Sequence, residues 1–224
     1  MAIPRRIDGR DGHHISAFFV TLPEWQEEGY AVKLLEDRIL KDGKVAPGNV
    51  LRVDSFINHQ MDILFMEKLA EEFKRRFGDK LVDKVLTIEA SGIAIATLVA
   101  QKYGVPLVSA KKSKSSNLPN SVYTCPVKSY THGNVNTVLV TQDYLNAGEN
   151  VLIIDDFLAH GEALRGLMNL VAQAGGTVVG AGIVVEKAYQ HGADTLRSEG
   201  LQVESLARVA SMDDATGTVE FIPD

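Results

Sequence analysis

The amino-acid sequence predicts an α/β fold in which helices flank a central parallel sheet. Short apolar runs alternate with helix-period stretches through the middle of the chain, the signature of parallel strands joined by crossover helices. The run Val151-Leu152-Ile153-Ile154 is apolar at every position, as a strand covered on both faces requires. A length of 224 residues, 45% of them hydrophobic, suffices for one substantial core, or one core and a small appendage.

Each element has its own signal. Residues 1–23 hold Pro4, Gly9, Gly12 and Pro23 without a sustained period and read as an extension. Over 24–40 the apolar residues Val32, Leu35 and Ile39 recur at helical spacing, and Gly43, Pro47 and Gly48 stop the helix. A second helix spans 62–77: Met66, Leu69, Ala70, Phe73 and Phe77 form one stripe opposite charged residues, and Gly78 ends it. Residues 84–88 read as a strand, 93–103 as a helix closed by Gly104, and 106–109 as the next strand. The polar, basic and turn-rich stretch 111–120 then predicts a mobile loop. Residues 121–127 and 137–141 alternate enough to be two arms of a hairpin. After the strand at 151–154, Leu164, Leu167, Met168 and Val171 share a helical face, and Gly175-Gly176 separates that helix from a buried strand over 177–185. Short strands are expected at 203–206 and 219–222.

Composition excludes several function classes. A net charge of −6 argues against broad nucleic-acid binding, because a phosphate backbone is held by an excess of positive field. No apolar run is long enough for a bilayer, and the first twenty residues lack the apolar centre of a secretory signal, so a cytoplasmic, membrane-free protein is expected. The single cysteine, Cys125, can form neither an internal disulfide nor a multi-thiolate zinc site. The six histidines show no metal-ligand spacing with carboxylates, so no structural metal is assigned.

Any phosphate must therefore be bound locally, by main-chain amides. Residues 151–163 provide for this: a buried strand, then Asp155-Asp156, then a small-residue loop that opens a helix. Ligands bind at the carboxyl edge of open α/β sheets. Ala159, Gly161 and Ala163 let the backbone approach a phosphate, with the helix dipole behind it, while two carboxylates accept hydrogen bonds from ribose hydroxyls. The competing reading is a solvated strand end with a capping acid. Lys187, which follows a buried strand, only donates hydrogen bonds and so suits an oxo rather than an amino group on a ligand.

Segment 151–163 resembles the ribose-phosphate motif of the type I phosphoribosyltransferases, in the form carried by members that use xanthine. Val53-Asp54-Ser55-Phe56-Ile57-Asn58-His59-Gln60, Thr87-Ile88-Glu89-Ala90-Ser91-Gly92-Ile93-Ala94, Glu186-Lys187-Ala188-Tyr189 and Val203-Glu204-Ser205-Leu206-Ala207-Arg208 are also similar to that family. The resemblance runs from about Val32 to the C-terminus, leaving 1–30 as an extension of unknown role before a domain over 31–224. It implies the type I phosphoribosyltransferase fold, with a small hood built from the N-terminal segment and a flexible lid loop. It further implies a pentosyltransferase of purine salvage that converts xanthine and 5-phosphoribosyl 1-pyrophosphate (PRPP) to XMP and pyrophosphate. Mg²⁺ would arrive with PRPP, and the protein would be a homodimer.

Carried over to this chain, the resemblance makes Asp155 and Asp156 catalytic. It assigns Ala159, His160, Gly161, Glu162 and Ala163 to the 5′-phosphate. Ser91, Gly92, Lys111 and Lys112 would hold pyrophosphate, with an unusual peptide geometry at the 89–92 turn, and Leu51, Asn58, Lys187 and Tyr189 would surround xanthine. His160 and Glu162 depart from the neutral polar residues usual in this loop; a carboxylate beside phosphate is expected to face solvent or a cation. Two alternatives stand beside this reading. One is a transferase for guanine, hypoxanthine or adenine. The other is a purine-operon regulator that uses the domain to sense PRPP; the short extension without helix-turn-helix periodicity weighs against it.

Overall fold

The apolar run at 151–154 is the centre of a six-stranded sheet in a computed structural model, which describes residues 30–112, 121–128 and 135–223. In chain order the elements are α1 (Tyr30–Asp42), β1 (Lys44–Ala46), β2 (Val50–Arg52), α2 (Ile63–Phe77), β3 (Lys84–Ile88), α3 (Gly92–Tyr103) and β4 (Leu107–Ala110). They continue with β5 (Val122–Lys128), β6 (Val135–Thr141), β7 (Asn150–Leu158), α4 (Glu162–Ala174), β8 (Thr177–Lys187), α5 (Gly192–Ser198), β9 (Val203–Asp213) and β10 (Thr218–Phe221). The sheet order is β10-β9-β8-β7-β3-β4; the strands from β9 to β4 run parallel, and β10 is antiparallel at the edge.

Alternation along β7 divides the interior. Leu152 and Ile154 belong to a core completed by α1, α2 and α3, whereas Val151 and Ile153 join α4 and the β5–β6 hairpin on the other face. Helix α2 starts at Asp62, whose carboxylate accepts from the Phe65 amide at 3.2 Å. Its stripe reaches the sheet through a notch in β8: a Cβ at Gly180 would lie 2.5 Å from the Phe77 ring, and one at Gly182 2.9 Å from that of Phe73.

Several expectations need correction. The expected strands at 203–206 and 219–222 are the ends of a longer unit, an eleven-residue β9 with β10 folded back on it. Where Gly43, Pro47 and Gly48 signalled only a helix stop, β1 and β2 form a hairpin turned by Gly48 and Asn49, both at positive φ. Helix α5 is also additional. The hairpin expected after residue 120 exists as the antiparallel pair β5–β6, tied to the end of β4 by a Lys111–Leu139 bridge. The extension expected over 1–30, apart from Tyr30, and residues 113–120 of the expected lid lie outside the described residues.

Candidate active site

Strand β7 delivers both acids. Asp155 and Asp156 lie within the strand rather than beyond its end, and each is only 6% exposed, so they are not a solvated strand terminus. The Asp156 amide donates to Asp155 Oδ1 at 3.0 Å, and Ser91 Oγ donates to Asp156 Oδ1 at 2.9 Å. Burial pushes the Asp155 carboxyl well above the usual carboxylate range, and the neighbouring Asp156 charge pushes it further; the Asp156 amide and the Lys112 charge only partly offset this. The pair is thus an acidic site that lacks a strong cationic partner among the described residues.

The turn between β3 and α3 is shaped around these acids. Ser91 makes no capping bond to α3, contrary to the simplest reading of a serine at a helix entry; its hydroxyl serves Asp156 instead. A Cβ on Gly92 would stand 2.3 Å from Thr87 Oγ1 and 2.7 Å from Asp155 Oδ1, so the glycine leaves room for the carboxylate. The unusual peptide at this turn is the cis Glu89–Ala90 bond. The Glu89 carboxylate accepts from the Lys112 amide at 2.9 Å and pairs with Lys111 Nζ at 3.0 Å, which holds it below its ordinary range. Lys111 therefore points at Glu89, while Lys112 lines the cleft.

Beyond Leu158 the chain turns through Ala159, His160 and Gly161 into α4. Gly161 is left-handed at φ 86 and offers no side chain to cap the helix, and the first-turn amides have no intrahelical acceptors at the wall of the cleft. The cleft measures about 380 Å³ and is lined by residues 155–164, Ile88, Ser91, Lys112, Ile183 and the hairpin residues Val127, Asn136 and Val138. His160 and Glu162 both lie on its wall, and the Glu162 charge also reaches Arg165 one turn on. Asn136 was not anticipated; its place two residues before Val138 on an alternating strand is the signal that marks it.

None of the four residues expected at the base lines this cleft. Leu51 is buried in β2. Lys187 ends β8 and donates to the Asn49 carbonyl of the β1–β2 turn at 3.3 Å, and its burial lowers the ammonium's pKa. Tyr189 packs against the α1–α3 core, and burial raises its phenol. The Asn58 Oδ1 is buried without a hydrogen-bond partner among the described residues. Among the described residues, no group of three or more His, Cys, Asp or Glu side chains is arranged to hold a metal ion. Nor is any helix of the described residues long and apolar enough to cross a membrane.

Comparison with known proteins identifies the family and the fold. The phosphoribosyl transferase domain model matches residues 57–215. The xanthine phosphoribosyltransferase of Bifidobacterium adolescentis is 52% identical over 191 residues, covering 85% of this chain and 99% of that protein. Its counterpart in Lachnoclostridium phytofermentans is 50% identical over 190 residues, covering 85% and 98%. Among solved structures, Giardia lamblia adenine phosphoribosyltransferase complexed with 9-deazaadenine superimposes with a TM-score of 0.65 at 19% identity, covering 77% of this chain and 96% of that one. The Rhodothermus marinus adenine enzyme gives 0.64 at 22%, covering 78% and 97%. At such identities the solved structures speak to the fold alone.

Proposed function

We propose that this chain, which belongs to the phosphoribosyl transferase domain family, transfers the phosphoribosyl group of PRPP to xanthine, yielding XMP and pyrophosphate. The reaction class rests on one observation: two buried, poorly compensated carboxylates share a cleft with the uncapped amides of a helix start. The choice of xanthine is supported by relatives about half identical to this chain along nearly their whole length.

In this reading the amides of residues 159–163 bind the 5′-phosphate, and Asp155 and Asp156 accept from the ribose hydroxyls. A purine ring nitrogen attacks C1 of the ribose as the bond to pyrophosphate breaks. The carboxylates lie where positive charge develops on the sugar, and Ser91, the Gly92 turn, Lys112 and Lys111 face the departing pyrophosphate. Lys111 must leave Glu89 to do so. Leu51, Asn58, Lys187 and Tyr189 surround the base: Lys187 donates to an oxo group, and Asn58 Oδ1 accepts from a ring N–H.

A two-carboxylate site is too small to cage a resident ion and fits Mg²⁺ carried by substrate phosphates and water. That ion would neutralise pyrophosphate charge. A cytoplasmic homodimer belongs to the same proposal; light scattering giving the mass of one chain would refute the dimer. The decisive assay is pyrophosphate release with xanthine, guanine, hypoxanthine and adenine in turn. Xanthine should exceed the others by about tenfold or more in kcat/KM; preference for adenine would overturn the assignment.

A further inference from the structure

The proposed phosphate loop enters α4 through Gly161, which is left-handed and has no side chain with which to cap the helix. Amides that bind an anion must be fixed before it arrives if they are to stabilise it strongly. Helix α5, a segment outside the loop, lies directly against it. A Cβ on Gly192 would fall 2.2 Å from the Ala159 carbonyl oxygen, 2.5 Å from the His160 carbonyl carbon and 2.8 Å from the Gly161 nitrogen. The buried Leu196 side chain also lies against Gly161, 3.3 Å from where a Cβ would be.

With seven residues, α5 is too short to hold its place by its own hydrogen bonds. Arg197 fastens it. Its two terminal nitrogens reach the two oxygens of Glu186 at 2.7 and 3.2 Å, Nε donates to the Val203 carbonyl at 3.1 Å, and Nη2 donates to Ser205 Oγ at 3.2 Å. Glu186 is 1% exposed, stands opposite Leu158 where β7 gives way to the loop, and immediately precedes Lys187.

We propose that Gly192 and the Arg197–Glu186 pair are positioning residues for 5′-phosphate binding: the pair pins α5 to the sheet, and Gly192 presses α5 onto the back of the phosphate loop. The inference rests on the phosphoribosyl-transfer reading. A side chain at 192 cannot coexist with the 159–161 backbone as placed, so α5 and the loop must separate.

The test uses the full chain and calorimetric titration with PRPP and with ribose 5-phosphate, beside steady-state KM values. Gly192→Ala should weaken both sugar phosphates by about tenfold to a hundredfold while changing the xanthine KM by less than about twofold. Arg197→Lys keeps the charge but loses the fork, and should produce the same split at about threefold. Unchanged PRPP affinity in Gly192→Ala, or equal losses for PRPP and xanthine, overturns the proposal. If Gly192→Ala does not fold, Arg197→Lys decides by the same split. A wild-type protein that binds no PRPP overturns the transferase reading, and this inference with it; normal wild-type binding with no split overturns this inference alone.

Discussion

Glu72 and Glu186 are buried with arginines, whereas Asp155 and Asp156 are buried without them. Arg75 and Arg76 both reach Glu72 at 2.8 Å, and Arg197 reaches Glu186 at 2.7 Å. Near the acid pair the described residues offer a serine hydroxyl, a main-chain amide and the more distant Lys112 charge. Burying a carboxylate is costly unless opposite charge and hydrogen bonds repay it. The first two acids are repaid within the fold and serve as fasteners. The aspartates carry an unmet demand for donors, which the ribose hydroxyls of PRPP and its cation can meet.

The strongest way to break this contrast is to remove the aspartate charges. Asp155→Asn with Asp156→Asn should lower kcat/KM for PRPP about a thousandfold while the fold persists; kinetics like those of the parent would take the acids out of the site. Next in size, Glu186→Gln removes the buried charge partner of Arg197, leaving it Asp194 at 3.4 Å, and should cost about 3 kcal/mol, at the low end for a broken buried pair because the arginine side chain is 29% exposed. Thermal melts should then show a loss of roughly 6–12 °C.

Asp155→Asn alone should act in the opposite direction, raising the melting temperature by roughly 2–8 °C, the equivalent of about 1–2 kcal/mol, while activity falls. Its gain should depend on pH. The folded Asp155 holds its proton more tightly than the unfolded chain does, so its contribution is present below the unfolded value of roughly 3.9 and lost as pH rises through the folded one. Glu72 behaves inversely. Burial raises its pKa, but the hydrogen bonds and charges of Arg75 and Arg76 outweigh this, so its contribution is present above roughly 4.3 and lost as pH falls through its lowered value. The advantage of Asp155→Asn over wild type should therefore grow from acid to neutral pH; a flat difference across melts at a series of pH values would contradict the carboxyl assignment. The smallest effect belongs to Ser91→Ala, which removes one hydrogen bond from Asp156 and should lower kcat/KM for PRPP about fivefold, near 1 kcal/mol.

Much of the fold was legible because its signals are local. The continuous apolar run of β7, the stripe of α2 and the glycine stop after α4 each lie within one segment, and each element formed there. The segment 151–163 was legible for the same reason: strand, acids, loop and helix follow one another without interruption. Other features left no such trace. The strands β1 and β2 and helix α5 are too short to display a period. Strand β9 runs past its apolar start because β10 folds back along it and supplies hydrogen bonds that composition does not reveal.

By itself, then, the sequence determined which residues lie side by side at the end of β7, because adjacency along a chain needs no folding to establish it. Only the tertiary structure decided which acids meet arginines, that Ser91 reaches Asp156 across 65 positions, and that Gly192 backs the 159–161 turn. Those contacts depend on how strands and helices from separate parts of the chain pack together, and the cost of burying a carboxylate is set by what that packing brings near it.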